Sequence, residues 1–311
     1  MKGLLTPQAS PLPPLASGLR PHASGLTPII IDIHTHIFPP EICQDRRAWF
    51  PGEPAFELLY RDQKKSPLAT TEGLIEAMDL HGIQASVTFG FPWKQSELIR
   101  RSNDYVLEAM ARYPDRLLGF ACLNPGLPGA TQEGERCLEA GMKGLGEIAL
   151  YLDSASQSWL EAMKPLAELA EKWKVPILLH TNEPVGPAYP GKERLPFWEL
   201  YDLIKLFPKT IFILAHWGGG LWWYELMKRE VREVLRNTYF DTAASPFLYR
   251  PEIYQYAVRI MGVEKILYGS DYPLLTLDRY LKELEQAGLN KKQQKAVLGG
   301  NSQRILGWPA D

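Results

Sequence analysis

The sequence has few cysteines, little net charge and no long apolar run. Its three cysteines are an odd number and lack the spacing of metal-ligand pairs, so we expect reduced thiols in a cytoplasmic protein without a disulfide framework. No stretch approaches the roughly 18 apolar residues that cross a bilayer, so we expect no contact with a membrane. The formal net charge of −2 likewise favours neither nucleic acid nor an anionic surface as a partner.

The first 28 residues are unusual in composition. They contain only two charged side chains, Lys2 and Arg20, and are dense in proline, serine and glycine. A secretory signal would need an unbroken apolar segment of about 7–15 residues, and prolines interrupt every candidate. We therefore expect residues 1–28 to form a proline-rich N-terminal arm, flexible or wrapped on the surface. The remainder, residues 29–311, is long enough for one large α/β domain.

From residue 29 onward, short apolar runs alternate with longer amphipathic stretches. Nearly continuous apolar runs are typical of parallel strands that are buried on both faces. The predicted strands are 29–33, 85–90, 117–123, 144–149, 176–180, 210–216, 238–242 and 265–269. The predicted helices are 71–80, 97–113, 159–173, 196–207, 221–235, 251–261, 277–287 and about 291–306. This alternation permits a closed (β/α)8 barrel or a doubly wound open sheet.

The end of the first predicted strand favours the barrel. A dinucleotide-binding sheet would have a glycine-rich turn there, but the strand runs into His34-Thr35-His36. The glycines at 218–220 follow a strand without the spacing of a phosphate loop. We therefore predict an α/β fold, a single (β/α)8 TIM barrel over residues 29–311. Insertions at 37–70 and 181–195 follow strands, on the face where barrel active sites form.

Four of the six histidines fall at or just after the ends of predicted strands. His34 and His36 follow the first strand, His180 ends the fifth and His216 the sixth. Alternation along a strand points positions 34 and 36 to the same side, and strand ends converge in a barrel. A lone strand histidine is usually a hydrogen-bonded core or surface residue. Together with Asp271 after the eighth strand, however, the set predicts a divalent metal site.

Motifs spread over about residues 29–307 resemble the amidohydrolase superfamily. The similarity is greatest to the amidohydrolase-related branch, which includes aminocarboxymuconate-semialdehyde decarboxylase and related aromatic-acid decarboxylases. It is carried by Ile31-Asp32-Ile33-His34-Thr35-His36, Leu179-His180, Leu214-Ala215-His216-Trp217-Gly218-Gly219, Tyr268-Gly269-Ser270-Asp271-Tyr272-Pro273 and Gly300-Asn301-Ser302-Gln303-Arg304-Ile305-Leu306.

The resemblance implies roles for individual residues. His34, His36, His180 and Asp271 would bind one divalent metal ion rather than two, and His216 would be the general acid/base or substrate-polarising residue. We expect zinc, although manganese, iron, cobalt and nickel accept the same imidazole and carboxylate ligands. Asp271 would also take part in catalysis, because a carboxylate there can accept a proton from an activated water.

Glu147 lies in an otherwise apolar fourth strand, where an unpaired carboxylate is costly. Its position resembles superfamily members that place a glutamate or modified lysine there to bind or bridge metals. The expectation is that Glu147 ligates the metal or lies one hydrogen bond from it. The alternative is that it orients a ligand or pairs with an arginine across the barrel.

These residues leave three hypotheses for function. The main one is a metal-dependent hydrolase that uses an activated water on an amide, lactone or ester-like bond of a small molecule. Glu147 favours it, because many decarboxylases of the branch lack such a glutamate. The alternative is a metal-dependent non-oxidative decarboxylase of a small aromatic or unsaturated acid, and aromatic residues after the strands, such as Trp93, Tyr151 and Trp217, suit a planar substrate. The third is a non-catalytic metal-binding barrel. The assembly that we consider is a homodimer.

Overall fold

Eight parallel strands follow one another in chain order around a barrel, β1 to β8. A computed structural model describes residues 29–149, 158–192 and 195–307. The strands are β1 Ile31–His36, β2 Ala85–Phe89, β3 Leu117–Ala121, β4 Gly144–Ile148, β5 Ile177–Leu179, β6 Phe212–Leu214, β7 Thr238–Asp241 and β8 Ile266–Leu267. The barrel closes where the Ile33 amide donates to the Tyr268 carbonyl and Thr35 pairs with Tyr272 beyond β8. The predicted TIM barrel is confirmed.

Helices connect the strands and form the outer layer. They are α1 Pro40–Gln44, α2 Pro54–Tyr60, α3 Thr71–His81, α4 Ser96–Arg112, α5 Ala130–Glu139, α6 Trp159–Trp173, α7 Phe197–Leu206, α8 Val231–Val234, α9 Ser245–Leu248, α10 Glu252–Met261, α11 Leu277–Gln286, α12 Lys291–Lys295 and α13 Asn301–Leu306. Sequence signals set their ends: the Thr70 side chain caps the start of α3, and Gly82 ends it with φ of 68°. No helix among the described residues is long and apolar enough to span a bilayer.

Two helix predictions differ from the structure. The predicted helix 221–235 is instead a 3-10 segment, His216–Leu226, followed by the short α8. Within the predicted range, Met227 is extended with ψ of 141° and Glu230 has φ of 68°, and neither conformation continues a right-handed helix. Helix α5 was not predicted, because its buried residues are few. One of them, Gly134, leaves no room for a side chain against Leu123 and Leu169.

The barrel wall separates two apolar clusters. Inside the barrel, side chains such as Ile31, Ile33 and Phe120 fill the bottom of the lumen. Outside it, a larger cluster packs the strands against the helices. Interior packing of this kind leaves the carboxyl ends of the strands as the only wide opening of a TIM barrel, which is where active sites form.

The two predicted insertions meet over that opening. Residues 37–70 contain α1, a 3-10 turn and α2, and the loop after β5 runs from 181 into the undescribed residues 193–194. A Cβ on Gly191 would lie 3.0 Å from Leu59 of α2. Within the loop, the Tyr189 hydroxyl donates to Glu183 at 2.8 Å and Lys192 donates to the Val185 carbonyl at 2.6 Å. The N-terminal arm, residues 1–28, lies outside the described residues, and its boundary stays a prediction.

Candidate metal site

Glu147 stands at the centre of four histidines at the mouth of the barrel. Its Oε1 is 2.9 Å from Nδ1 of His180, 3.6 Å from Nε2 of His216 and 3.8 Å from Nε2 of His34. Its Oε2 is 3.7 Å from Nε2 of His36. Among the described residues, the Glu147 carboxylate is therefore the one acidic group that lies close to all four imidazoles.

Asp271 approaches His34 and His36 from the turn after β8, which lies beside β1. Its Oδ1 is 3.7 Å from Nε2 of His34 and 3.5 Å from Nε2 of His36. The residue has φ of 62°, and its amide donates to the His34 carbonyl at 3.0 Å. This turn after β8 is unusual for a non-glycine residue and fixes the carboxylate against the end of β1.

A strand irregularity aims the two β1 histidines into the barrel. The register of β1 against β2 shifts between Asp32 and Thr35. As a result, Ile31 and Ile33 lie in the interior cluster, while His34 and His36 also face the lumen, where both rings contact Phe89. Simple alternation would place odd and even positions on opposite sides. The expectation that positions 34 and 36 share a side holds, but the irregularity decides which side.

A similar irregularity in β4 aims Glu147 into the site. The register of β4 against β5 shifts between Leu145 and Ile148. Gly146 has φ of 144°, and a Cβ there would lie 2.8 Å from the Leu178 carbonyl oxygen. Only glycine fits this position. The chain therefore turns the Glu147 side chain towards the mouth rather than towards the helix layer.

The surroundings of His34 are unusual for a buried side chain. Its Nδ1 is 2.9 Å from Oδ2 of Asp241, but its buried Nε2 has no hydrogen-bond partner among the described residues. Burial lowers the pKa of His34, yet the carboxylates of Asp241 and Glu147 outweigh burial and raise it to about 10. A fully buried ring nitrogen facing carboxylates with no partner fits a metal ligand, because metal-bound histidines commonly pair their other nitrogen with a carboxylate.

His36 and His216 are oriented in the same way. Nδ1 of His36 lies 3.0 Å from the Gly90 carbonyl, and Nδ1 of His216 lies 2.9 Å from the Ala243 carbonyl. A carbonyl only accepts, so each Nδ1 carries a proton, and Nε2 of each ring faces the site. Three histidines thus present Nε2 to the carboxylates of the mouth.

His180 is held differently. Its Nδ1 faces Glu147, while its Nε2 lies 3.0 Å from the Gly191 carbonyl in the loop after β5. The nitrogen on the loop side therefore carries a proton. Whether His180 ligates a metal through Nδ1 stays a prediction.

Two groups of donor atoms among the described residues are compact enough for an ion. One comprises His34, His36 and Asp271, and the other His34, Glu147 and His216, with the atoms of each group within 4.8 Å of one another. His180 belongs to neither group and reaches the site through Glu147. The structure therefore brings all the predicted site residues together, but it sets His216 nearer to the donor groups than the sequence suggested.

The two carboxylates carry their negative charge in this setting. Burial by itself raises the pKa of Glu147. The charges of His34 and His180 outweigh burial and hold this pKa well below its usual range. For Asp271 burial again raises the pKa, and the hydrogen bond with His36 and the charge of His34 bring it down to about 2. Two ionised carboxylates beside buried imidazoles have the charge and the donor types of a divalent-cation site.

Comparison with known proteins agrees with this geometry. The model of the amidohydrolase family matches residues 31–308, which is nearly the whole barrel. The chain belongs to the amidohydrolase family. The resemblance seen in the sequence motifs is thereby confirmed, and so is the inference that the chain is an enzyme.

Several relatives of the chain carry decarboxylase names. Gamma-resorcylate decarboxylase of Rhizobium radiobacter is 27% identical over 303 residues, covering 80% of this chain and 89% of the relative. The crystal structure of 5-carboxyvanillate decarboxylase from Sphingomonas paucimobilis has a TM-score of 0.71 at 17% identity, over 90% of this chain and 99% of that one. A dihydroxybenzoic acid decarboxylase from Polaromonas sp. JS666, with bound manganese and the inhibitor 2-nitroresorcinol, has a TM-score of 0.65 at 21% identity, over 90% and 97%. The relatives favour the decarboxylase alternative over the hydrolase.

Two of the aromatic residues that were predicted to suit a planar substrate lie inside the wall of the barrel. Trp93 and Trp217 are fully buried, and their Nε1 atoms donate to Ser102 and Ser245 at 2.8 and 3.0 Å. These side chains therefore support the wall and do not face a substrate. Tyr151 lies outside the described residues.

Asp241 is a site residue that the sequence analysis missed. Its Oδ2 pairs with His34, and its Oδ1 accepts from the amides of His216 and Ala243, both at 2.9 Å. It ends β7 after an apolar run, which is the same signal that identified Asp271. The side chain is fully buried and orients two of the site histidines.

We expect Asp241→Asn to lower the affinity for a divalent metal about 10- to 100-fold, the usual effect of removing a carboxylate that orients a histidine ligand. Titration of metal-free protein with manganese measures this directly. Asp79→Asn is the matched control, because Asp79 is an exposed carboxylate paired with Arg116 at the end of α3. An affinity unchanged from that of the control would show that Asp241 does not support the metal site.

Proposed function

We propose that the chain is a metal-dependent, non-oxidative decarboxylase of a small aromatic acid. The observation that carries the proposal is the buried, unpaired Nε2 of His34 between Glu147 and Asp271. A buried nitrogen without a hydrogen bond, between two carboxylates, is suited to bind a cation. It lies in a barrel that is similar to gamma-resorcylate decarboxylase, an enzyme named for an aromatic acid.

We propose His34, His36, His180 and Asp271 as ligands of one divalent ion, with Glu147 as a ligand or as the carboxylate next to them. Zinc is the ion that we expected from the donor types. The manganese in the Polaromonas structure makes manganese the first ion to test beside it. When bound, the ion supplies positive charge that holds the oxygens of the acid and stabilises negative charge developing in the ring.

The protein must supply a proton for this reaction. Decarboxylation replaces the bond between a ring carbon and the carboxylate by a C–H bond, so one proton has to reach that carbon as carbon dioxide leaves. His216 suits the task, because its Nδ1 is fixed by the Ala243 carbonyl while its Nε2 points into the mouth. We propose His216 as this acid, and Asp271 as the group that keeps the neighbouring His36 oriented.

A substrate panel tests the proposal. We expect protein loaded with manganese or zinc to release carbon dioxide from hydroxybenzoates such as 2,6-dihydroxybenzoate, which is gamma-resorcylate. Aromatic amides and lactones in the same panel report the second candidate, the hydrolase, which Glu147 favours. Hydrolysis of those compounds without carbon dioxide release from any acid would reverse the order of the two proposals.

We expect Glu147→Gln to lower metal affinity and turnover by about 10- to 100-fold each, because a neutral amide no longer balances the cation and the imidazoles. The amide is similar in size, so the thermal midpoint of unfolding should change little by comparison. Glu283→Gln, a buried glutamate of α11 paired with Tyr254, is the control for loss of a buried carboxylate. Unaltered metal affinity in Glu147→Gln would place the carboxylate outside the metal site.

A further inference from the structure

Tyr60 stands out in the insertion that covers the mouth. It is the last residue of α2, and its ring packs against an aromatic cluster. The ring centroid lies 4.9 Å from that of Phe56, 5.4 Å from that of Phe38 and 5.8 Å from that of Phe91. Phe38, Phe56 and Phe91 are almost fully buried, so they form a rigid support for the one tyrosine of the cluster.

Contacts on both sides of Tyr60 lead to the proposed ligands. Phe91 directly follows Gly90, whose carbonyl binds Nδ1 of His36. On the other side, Leu59 lies against Gly191, whose carbonyl binds Nε2 of His180. The end of α2 therefore spans the mouth between the His36 and His180 sides.

The backbone carbonyl of Tyr60 accepts a hydrogen bond from the protein, whereas its hydroxyl has no such partner among the described residues. Nη1 of Arg46 donates to the Tyr60 carbonyl at 3.2 Å and to the Ser66 carbonyl at 2.7 Å, which fixes the end of α2. The hydroxyl makes no hydrogen bond to any residue that the structure describes. Burial raises the pKa of Tyr60 well above its usual value, and the charges of Asp271 and Glu147 raise it further. The phenol therefore keeps its proton and is an unused donor beside the site.

Two arginines, Arg46 and Arg61, lie at the same helix end, and both guanidinium groups bind other protein groups. Arg61, the next residue, pairs with Glu57 at 2.8 Å and its side chain is 72% exposed. The Tyr60 hydroxyl therefore adds an uncharged donor to this helix end, next to the Arg46 guanidinium that holds the Tyr60 carbonyl.

We propose that Tyr60 is a specificity-determining residue whose hydroxyl donates a hydrogen bond to the carboxylate of the aromatic acid. The inference rests on the proposed function, because it takes an aromatic carboxylate as the ligand. This hydrogen bond selects planar acids whose carboxylate reaches both the metal ligands and α2. The apolar edge of the substrate ring would then lie against the aromatic cluster.

The test measures binding of 2-nitroresorcinol, in which the nitro oxygens take the place of the carboxylate oxygens, to the manganese-loaded full chain. We expect Tyr60→Phe to weaken binding about 3- to 10-fold, the effect of losing one hydrogen bond to an uncharged acceptor. We expect its thermal midpoint to stay unchanged. Tyr60→Leu, which also removes the ring, should weaken binding at least as much. Tyr113→Phe, at the other end of the barrel before β3, is the matched control and should bind as the unmodified protein does.

Each outcome bears on the proposal. Unaltered binding in Tyr60→Phe with weakened binding in Tyr60→Leu would make Tyr60 a packing residue and overturn it. No binding of 2-nitroresorcinol to the unmodified protein would overturn both the role of Tyr60 and the aromatic ligand class. Weakened binding in Tyr60→Phe, in a protein that releases no carbon dioxide from 2,6-dihydroxybenzoate, would support the role of Tyr60 while the proposed decarboxylation fails.

Discussion

Replacement of His34 by alanine is expected to empty the metal site and to lower turnover by about a thousandfold or more. The ion contributes several kcal/mol of charge stabilisation, and each 1.4 kcal/mol changes a rate about tenfold. His34 is the member shared by both donor groups, so its loss leaves neither group complete. The barrel should still fold, because the apolar clusters on both sides of its wall are extensive. Metal analysis of the purified variant and a carbon dioxide assay check the two effects.

His81→Ala is the control for this variant. His81 ends α3 on the opposite side of the barrel wall and lies 3.5 Å from Asp278. It should keep its metal and its turnover, so that any loss in His34→Ala reflects the site and not the removal of a histidine as such. Full metal occupancy in His34→Ala would refute the ligand assignment.

His216→Asn is expected to lower turnover about 10²- to 10⁴-fold while metal is retained, which is the range for a positioned acid or base. Asparagine can still donate to the Ala243 carbonyl, so the variant removes the proton carried at Nε2 and leaves the local packing. Turnover is followed as carbon dioxide release, and metal content is measured on the same sample.

His180→Asn provides the comparison that separates the two roles. If His180 is a ligand, its variant loses metal while His216→Asn keeps it. The opposite pattern would contradict our division of roles, and the group of His34, Glu147 and His216 would then be the ligand set.

The strands of the barrel could be predicted because parallel strands buried on both faces read as apolar runs. The ends of the strands could not be predicted in this way. The apolar runs continue beyond the last hydrogen-bonded pair of each strand, into the residues that form the site. His180 and His216 lie just beyond β5 and β6 in the structure, although both were predicted as the last residues of strands. The helix over 221–235 was wrong because Met227 is extended and Glu230 is left-handed, and hydrophobic periodicity does not report backbone handedness.

The site residues were found where chemistry and strand ends coincide. His34, His36, His180, His216, Glu147 and Asp271 are all brought together, but their orientation depends on irregularities at Asp32–Thr35 and at Gly146 that no periodic pattern reveals. Asp241 carried a readable signal at the end of β7. Tyr60 carried none, because an amphipathic helix inside an insertion gives no indication of which side chain will reach the mouth.

Decarboxylation in deuterated water tests the central claim most directly. Metal-loaded protein is incubated with 2,6-dihydroxybenzoate, and carbon dioxide and resorcinol are quantified, with the position of deuterium read by NMR. The account predicts equal amounts of the two products and one deuterium at the carbon that lost the carboxylate, since the proton passes through an exchangeable group such as His216. An intact acid after prolonged incubation, together with hydrolysis of an amide or lactone by the same sample, would contradict it.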